Sequence, residues 1–314
     1  MSSSSPGDSV TRDSFHDSVI TEFRANGGTV GGPLAGGDLL LLTTTGARTG
    51  SESTVPLGYV RDGDRLLVVG SNLGAPRHPA WYHNLLAHPS VRVEIGTETF
   101  EAIAVPAEGA RRERLFRQVV AAVPGYRDYQ DRTTRPLPVV VLERGDAHSA
   151  EHTGDGSPRG ITTLADKLLA VHAWLRGQLR HLVAETDAHL AARAAHQGPG
   201  APPAPGLGMQ IRQHCLAFCE TLEFHHTSED AHVLPAIAEH QPQLRAAVDR
   251  LREEHRTVRR IKEEILTLLT EIGTTDARRF RTELDRMSRE LIAHLDYEEE
   301  TVLPILAAIP LPGR

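Results

Sequence analysis

A chain of 314 residues exceeds what one hydrophobic core usually organises, so two domains are expected. Its 39% hydrophobic content is ordinary for a globular protein, and no apolar run approaches the ~18 residues of a membrane span. A net charge of −7 excludes the basic excess of a nucleic-acid binder.

In chain order, the opening stretch MSSSSPGDSVTRDSF has no basic start followed by an apolar run. No signal peptide is expected, and the location implied is cytoplasmic. Strands follow. DLLLLTTTG (38–46) is a short apolar run ending in a turn. TVPLGYV and RLLVVGS flank RDGD, where Asp62-Gly63 is the dipeptide of a tight hairpin. SVRVEIG and TFEAIAV alternate as a second pair, and LPVVVLE (137–143) is a last strand. Two amphipathic helices, 78–89 and 108–123, interrupt them. Mostly antiparallel strands with few helices predict a β-barrel or α+β domain over 15–145.

Residues 146–160 are polar, Gly-rich and non-periodic, which reads as a linker. Beyond it, to about 310, every segment has helical period. Helices are expected near 161–195, 208–239, 242–272 and 276–307, with the Pro/Gly stretch 196–208 between the first two. Four such helices make a four-helix bundle. Cys215 and Cys219 stand four apart in a helical pattern. That spacing is poor for a disulfide, so they are expected as small buried groups.

The bundle contains a repeated phrase. HHTSEDAHVLP begins at His225 and HLDYEEETVLP at His294, and both read His, three residues, Glu, five residues, Pro. A single His precedes each copy, His172 and His255, each followed by an apolar residue at the third position and Arg at the fourth. The half therefore reads as two helical hairpins with a loop inserted in the first. His225 with Glu229 and His294 with Glu298 are i, i+4 pairs, so each pair shares a helix face. His172 and His255 add an imidazole from each remaining helix. Four imidazoles and two carboxylates meeting in a core suit iron, manganese or zinc, and two bridging carboxylates suit two metals. His226, paired by spacing with Asp230, is expected outside this set. His232 is a weaker ligand candidate. Glu299 and Glu300 are expected to be solvated, and His181, His189, His196, His214 and His240 to be structural.

With these residues in view, 161–307 resembles the hemerythrin-like (HHE cation-binding) domain family. The resemblance implies a four-helix bundle with two iron ions, a non-haem di-iron centre held by the six residues just named. Arg259 stands where oxygen-carrying hemerythrins have a further His, a departure that argues against simple oxygen carriage.

The stretches EFRANGGTVGG, LLLTTTGARTG and DGDRLLVVGSNLGAPRHPAWYHNLLAHPSVRVEIG resemble the deazaflavin-dependent nitroreductase and quinone reductase family. So does VPGYRDYQDRTTRPLPVVVLER. The fold implied is an α+β split β-barrel, related to flavin-reductase-like barrels, followed by the all-α bundle. The cofactor implied is the deazaflavin coenzyme F-420, with flavin mononucleotide (FMN), haem or no cofactor as the alternatives. On this resemblance Arg48 and Thr49 receive the anionic tail, while Ser53, Thr54, Val55, Pro56 and Leu57 present a strand to the ring. Val69, Gly70, Ser71 and Asn72 line the far side, and Trp81, Tyr82 and Asn84 wall the pocket. Tyr126 and Tyr129 close over ring and substrate as the catalytic candidates. Without the resemblance, PAWYHNLL reads as a core-packing helix. Ala47, Ser53 and Asn72 depart from the basic residues that family members often carry there.

Together these readings give a two-domain redox enzyme. Its partners would be a quinone, a nitro compound, oxygen or nitric oxide, with no nucleic acid, no membrane span and a homodimer as the expected assembly. Electrons would pass from cofactor to irons. The alternative is an iron- or oxygen-binding sensor or storage protein with a non-catalytic barrel.

Overall fold

The structure, a computed structural model, describes residues 6–144, 163–194, 209–270 and 277–307. The expected linker 146–160 and insertion 196–208 lie outside the described residues. Internal contacts divide the chain into two units, Met1–Gly145 and Asp146–Arg314.

The first unit is a six-stranded closed barrel of antiparallel pairs. Its strands are β1 (Leu39–Thr45), β2 (Glu52–Asp62), β3 (Arg65–Val69), β4 (Ser90–Ile95), β5 (Glu98–Pro106) and β6 (Val139–Arg144). They run in the order β1-β2-β3-β6-β5-β4, and β4 returns to β1. The continuous apolar run of β1 is explained by cover on both faces. Leu40 and Leu42 point into the barrel with Val68, Val93 and Val140. Leu39 and Leu41 point outward beneath α1 (Pro6–Ala25), which buries Val19 and Phe23 on them. Sequence periodicity gave no sign of α1. Its apolar residues are sparse, and the sheet rather than its own pattern holds it.

The β2–β3 turn differs by one residue from expectation. Asp62 pairs with Arg65, so the two-residue loop is Gly63-Asp64, and Gly63 takes the positive φ of +61° that the turn needs. In α2 (Ala80–Ala87), Trp81 and Leu85 are i, i+4 and fill the barrel interior. In α3 (Gly109–Ala122), Leu115 and Val119 cover the outer face formed by Leu67, Val69, Val139 and Val141. A further short helix, α4 (Gly125–Asp131), carries Tyr126 and Tyr129.

The second unit is helical. It contains α5 (Leu164–Ala194), α6 (Met209–Ser228), α7 (Leu234–His240), α8 (Arg245–Thr270) and α9 (Ala277–Leu306). At the start of α5, Thr163 and Asp166 cap each other's backbone N–H. Helix α5 packs on α6 and α9, and α8 on α9 and α6, closing a four-membered ring. Between α6 and α7 the chain makes a π turn over Glu229–Val233. Pro235 has no N–H for the Ala231 carbonyl, and its ring crowds that carbonyl, so the turn widens. Pro304 occupies the matching place in α9, yet that helix runs on without a π turn.

Each long helix crosses the same three layers. One apolar cluster holds Leu175, Phe218, Ile261 and Leu291; another holds Leu168, Leu234, Leu251 and Val302. Between them, on every helix, lies a polar layer: His172, then His225 and Glu229, then His255, then His294 and Glu298.

Candidate metal centre and cofactor cleft

The polar layer is buried. The six predicted ligands are all buried, and so is His226. Glu298 Oε2 lies 3.5 Å from His172 Nε2, 3.6 Å from His294 Nε2 and 4.0 Å from His225 Nε2. Glu229 lies 3.4 Å from His225 Nδ1 through Oε1 and 3.6 Å from His255 Nε2 through Oε2. Each carboxylate thus stands between imidazoles of two groups, the position of a bridge. His172, His225, Glu229 and Glu298 form one cluster able to hold a cation; His226, His255 and His294 form another.

The electrostatics fit the same conclusion. Burial, and then the charge of Glu298, push the Glu229 carboxyl up to about 11. Burial, followed by repulsion from His172, His255 and His294, pulls His225 down to about 2. His172 and His255 are lowered too, chiefly by burial. Two facing carboxylates among neutral imidazoles are stable as anions only beside a cation. Five buried atoms support this directly. His226 Nε2, Glu229 Oε2, His255 Nε2, His294 Nε2 and Glu298 Oε2 make no hydrogen bond among the described residues. Orphaned donors and acceptors converging on one place are what a metal site offers.

An outer ring of carboxylates orients the imidazoles. His172 Nδ1 is 2.9 Å from Glu299, His255 Nδ1 is 2.9 Å from Asp230, and His294 Nδ1 is 3.0 Å from Glu254. Each contact places the ring proton on Nδ1 and leaves the Nε2 lone pair facing inward. Arginines hold the carboxylates in turn: Arg176 on Glu299, Arg259 on Asp230 and Arg250 on Glu254. The fourth-position Arg after His172 and after His255 therefore has a purpose that the sequence showed only as a repeat. Three expectations are corrected. Glu299 is not solvated but bonded to His172 and Arg176. Asp230 serves His255 rather than His226, and His226 is buried inside the layer. His232 is exposed. Cys215 and Cys219 are free and buried, as expected.

An apolar pocket of about 200 Å³ reaches this layer from one side. Leu168, Val171, Phe224 and Val233 line it, and His225 and Glu229 form its inner wall.

In the barrel, the predicted cofactor residues gather around a break in strand pairing. The β2–β3 pairing runs only from Asp62↔Arg65 to Tyr59↔Val68. Beyond that point β2 stays with β1, and β3 stays with β6. Residues 53–57 and 69–72 flank the place where the strands part. No residue of β2 is fully buried, whereas nearly all of β1 is. Val55 and Leu57 turn toward the barrel interior. Thr54 shares a 2.8 Å hydrogen bond with Thr43 on the outer face, where Pro56 stands opposite Leu41. The hydroxyl of Tyr126 stands over Gly58, 3.4 Å from where a Cβ would project. Tyr126 and Tyr129 meet edge to face at 6.0 Å, and burial pushes the Tyr126 hydroxyl up.

Arg48 is exposed in the loop between β1 and β2. That loop is tight: Gly46 N–H donates to Ser51 O, and a Cβ at Gly46 would meet Thr49 Oγ1 at 2.6 Å. Asn84 braces it, donating to Thr44 Oγ1 and accepting from Ala47 N–H. Trp81 lies in the barrel core, while Tyr82 is half-buried and lines an open groove with His78 and Arg112. Arg135, which the sequence did not single out, donates to the carbonyls of Gly70, Ser71 and Ala75 and so fixes the 70–75 loop. Glu52 is paired with Arg92.

Residues 17–144 match the family described as F420H(2)-dependent quinone reductase. An F420H(2)-dependent quinone reductase of Mycobacterium tuberculosis is 42% identical over 135 residues, covering 41% of this chain and 88% of the relative. The chain belongs to this family. The family is one of oxidoreductases. Residues 162–306 match the Hemerythrin HHE cation binding domain, so a quinone reductase barrel is fused here to a hemerythrin-like bundle. Among solved structures, an F420-H2 dependent reductase is 38% identical, covering 34% of this chain and 94% of its own, with a TM-score of 0.32. A chain described as a domain-swapped dimer is 35% identical, covering 44% of this chain and 100% of its own, with a TM-score of 0.34. Among the described residues no helix is long and apolar enough to cross a membrane.

Proposed function

We propose that the protein is a two-unit redox enzyme: its barrel would bind reduced deazaflavin, a two-electron hydride donor, and its bundle would hold two irons able together to take up two electrons. The observation that carries the bundle's part is the set of five orphaned buried atoms in one polar layer. Two irons bound there supply one-electron chemistry and coordination positions for oxygen, peroxide or nitric oxide. The chain's own residues set the conditions. Glu229 and Glu298 would be shared between the two ions, while Glu299, Asp230 and Glu254 keep the Nε2 lone pairs directed inward. The largely apolar pocket beside His225 and Glu229 would admit a small uncharged molecule to the layer.

In the barrel, residues 53–57 and 69–72 with Tyr126 would hold the deazaflavin ring, Arg48 and Thr49 would receive its anionic tail, and the reduced ring would supply a hydride. A quinone is the substrate class favoured for this unit, as its relatives are quinone reductases. Arg48 is exposed, so Arg48→Ala should weaken deazaflavin binding by about 1 kcal/mol or less, read by fluorescence titration against FMN.

The deciding experiment mixes reduced deazaflavin with the di-ferric protein anaerobically. Prompt bleaching of the iron bands is expected. Retained iron without bleaching would leave a storage or sensing bundle beside an independent reductase.

A further inference from the structure

We infer that His226 is a metal ligand, the third imidazole of the ion held by His255 and His294. The inference rests on the two-metal reading of the bundle and adds a residue to it. His226 is only 4% exposed, and its Nε2 makes no hydrogen bond among the described residues. One ring nitrogen from each of His226, His255 and His294 lies within 4.8 Å of the other two. The His226 ring lies parallel to that of His255, with centroids 4.1 Å apart, and edge-on to that of His294 at 5.1 Å. Three nitrogens so gathered, two of them oriented by outer carboxylates, have a cation as their common partner.

Among the described residues no carboxylate is hydrogen-bonded to His226 Nε2. Arg259 and Lys262 line the small cavity beside it, but Arg259 faces Asp230 and Lys262 binds Glu223 at 2.6 Å. A core histidine with no function would be expected to spend its ring nitrogen on a carbonyl or hydroxyl. Helix geometry explains how one helix serves both ions. His225 and His226 are adjacent, so they project about 100° apart. The first joins His172, Glu229 and Glu298, and the second joins His255 and His294. The result is an unequal pair. One ion has three imidazoles and the bridging carboxylates. The other has two imidazoles, and it is this side that meets the apolar pocket at His225 and Glu229.

The test uses the full chain, stripped of metal by chelation and titrated anaerobically with ferrous iron. Wild type should take two equivalents. His226→Gln, which keeps the bulk of the ring, should retain one tight equivalent and bind the second at least tenfold more weakly. His226→Ala should do the same and be partly restored by free imidazole. His232→Ala, exposed on the π turn, should match wild type. In the cobalt-loaded protein, shifted and solvent-exchangeable imidazole N–H resonances should number five in wild type and four in His226→Gln, one for each histidine of the two clusters. Two equal equivalents and five resonances in His226→Gln would overturn the inference and leave the two-metal reading intact. A wild-type chain that takes no iron would overturn the two-metal reading itself.

Discussion

Asp230→Asn isolates the contribution of one outer carboxylate. Asp230 Oδ1 lies 2.9 Å from His255 Nδ1 and touches no proposed metal position. Asparagine keeps an acceptor at the same reach but removes the charge that draws the Nδ1 proton and makes Nε2 a stronger donor. Loss of such a partner typically lowers metal affinity 10–100-fold, about 1.4–2.7 kcal/mol. The contact with Arg259 adds little, because its 3.6 Å separation joins side chains 42% and 29% exposed. If the new amide turned its NH2 toward the ring, the imidazole proton would move to Nε2 and the loss would exceed this range. The assay is chelator competition against the iron-loaded protein. Glu254→Gln, acting on His294 Nδ1, should give a loss of the same size. Glu253→Gln, one residue away but 65% exposed and paired only with Arg256, should give none. Equal affinities for all three variants would refute the claim that the outer ring tunes the site.

Two further outcomes are expected. Leu42→Ala empties a fully buried position in the barrel and should cost about 2–5 kcal/mol, read as a lower denaturant midpoint of the barrel transition. The metal-free bundle should lose stability in acid. His172, His225, His226 and His255 titrate below their ordinary 6.5 when folded, His225 near 2, so below pH 6.5 the unfolded chain binds protons that the fold refuses. Glu229, raised from 4.5 to about 11, opposes this with a single proton, so the four imidazoles prevail between pH 6.5 and 4.5. A melting temperature of the metal-free protein that stays flat or rises over that range would contradict this account.

The polar layer was legible because its residues obey a helical period. His225 with Glu229 and His294 with Glu298 share a face by spacing alone, and the repeat supplied the other helices. The outer carboxylates were not legible for the complementary reason. Glu299, Asp230 and Glu254 each adjoin a layer residue, so they project about 100° away and read as solvent-facing. Only the packing of a neighbouring helix turns that rim inward. The burial of His226 was missed on the same logic. In the barrel, the strands and the two amphipathic helices followed from alternation and period. Helix α1 did not, since its few apolar side chains serve the outer face of β1, and α4 is too short to show a period. The closure of the barrel, and the parting of β2 from β3, depend on long-range register, which no local pattern encodes.

The π turn at Glu229–Val233 works as a slip joint. A helix is ordinarily a rigid screw, so a residue turned to suit one layer turns every residue beyond it. An i→i+5 turn adds one residue to the winding and breaks that coupling. Upstream, the phase of α6 is free to aim both His225 and His226 at the polar layer. Downstream, Leu234 and Ile237 take their own phase in the lower apolar cluster. Helix α9 has no such joint between Glu298 and Val302. Adjustments at His294 are therefore transmitted to Val302 and Leu306, while adjustments at His225 and His226 are absorbed before they reach Leu234. The first copy of the repeat is the one able to accept a second inward histidine.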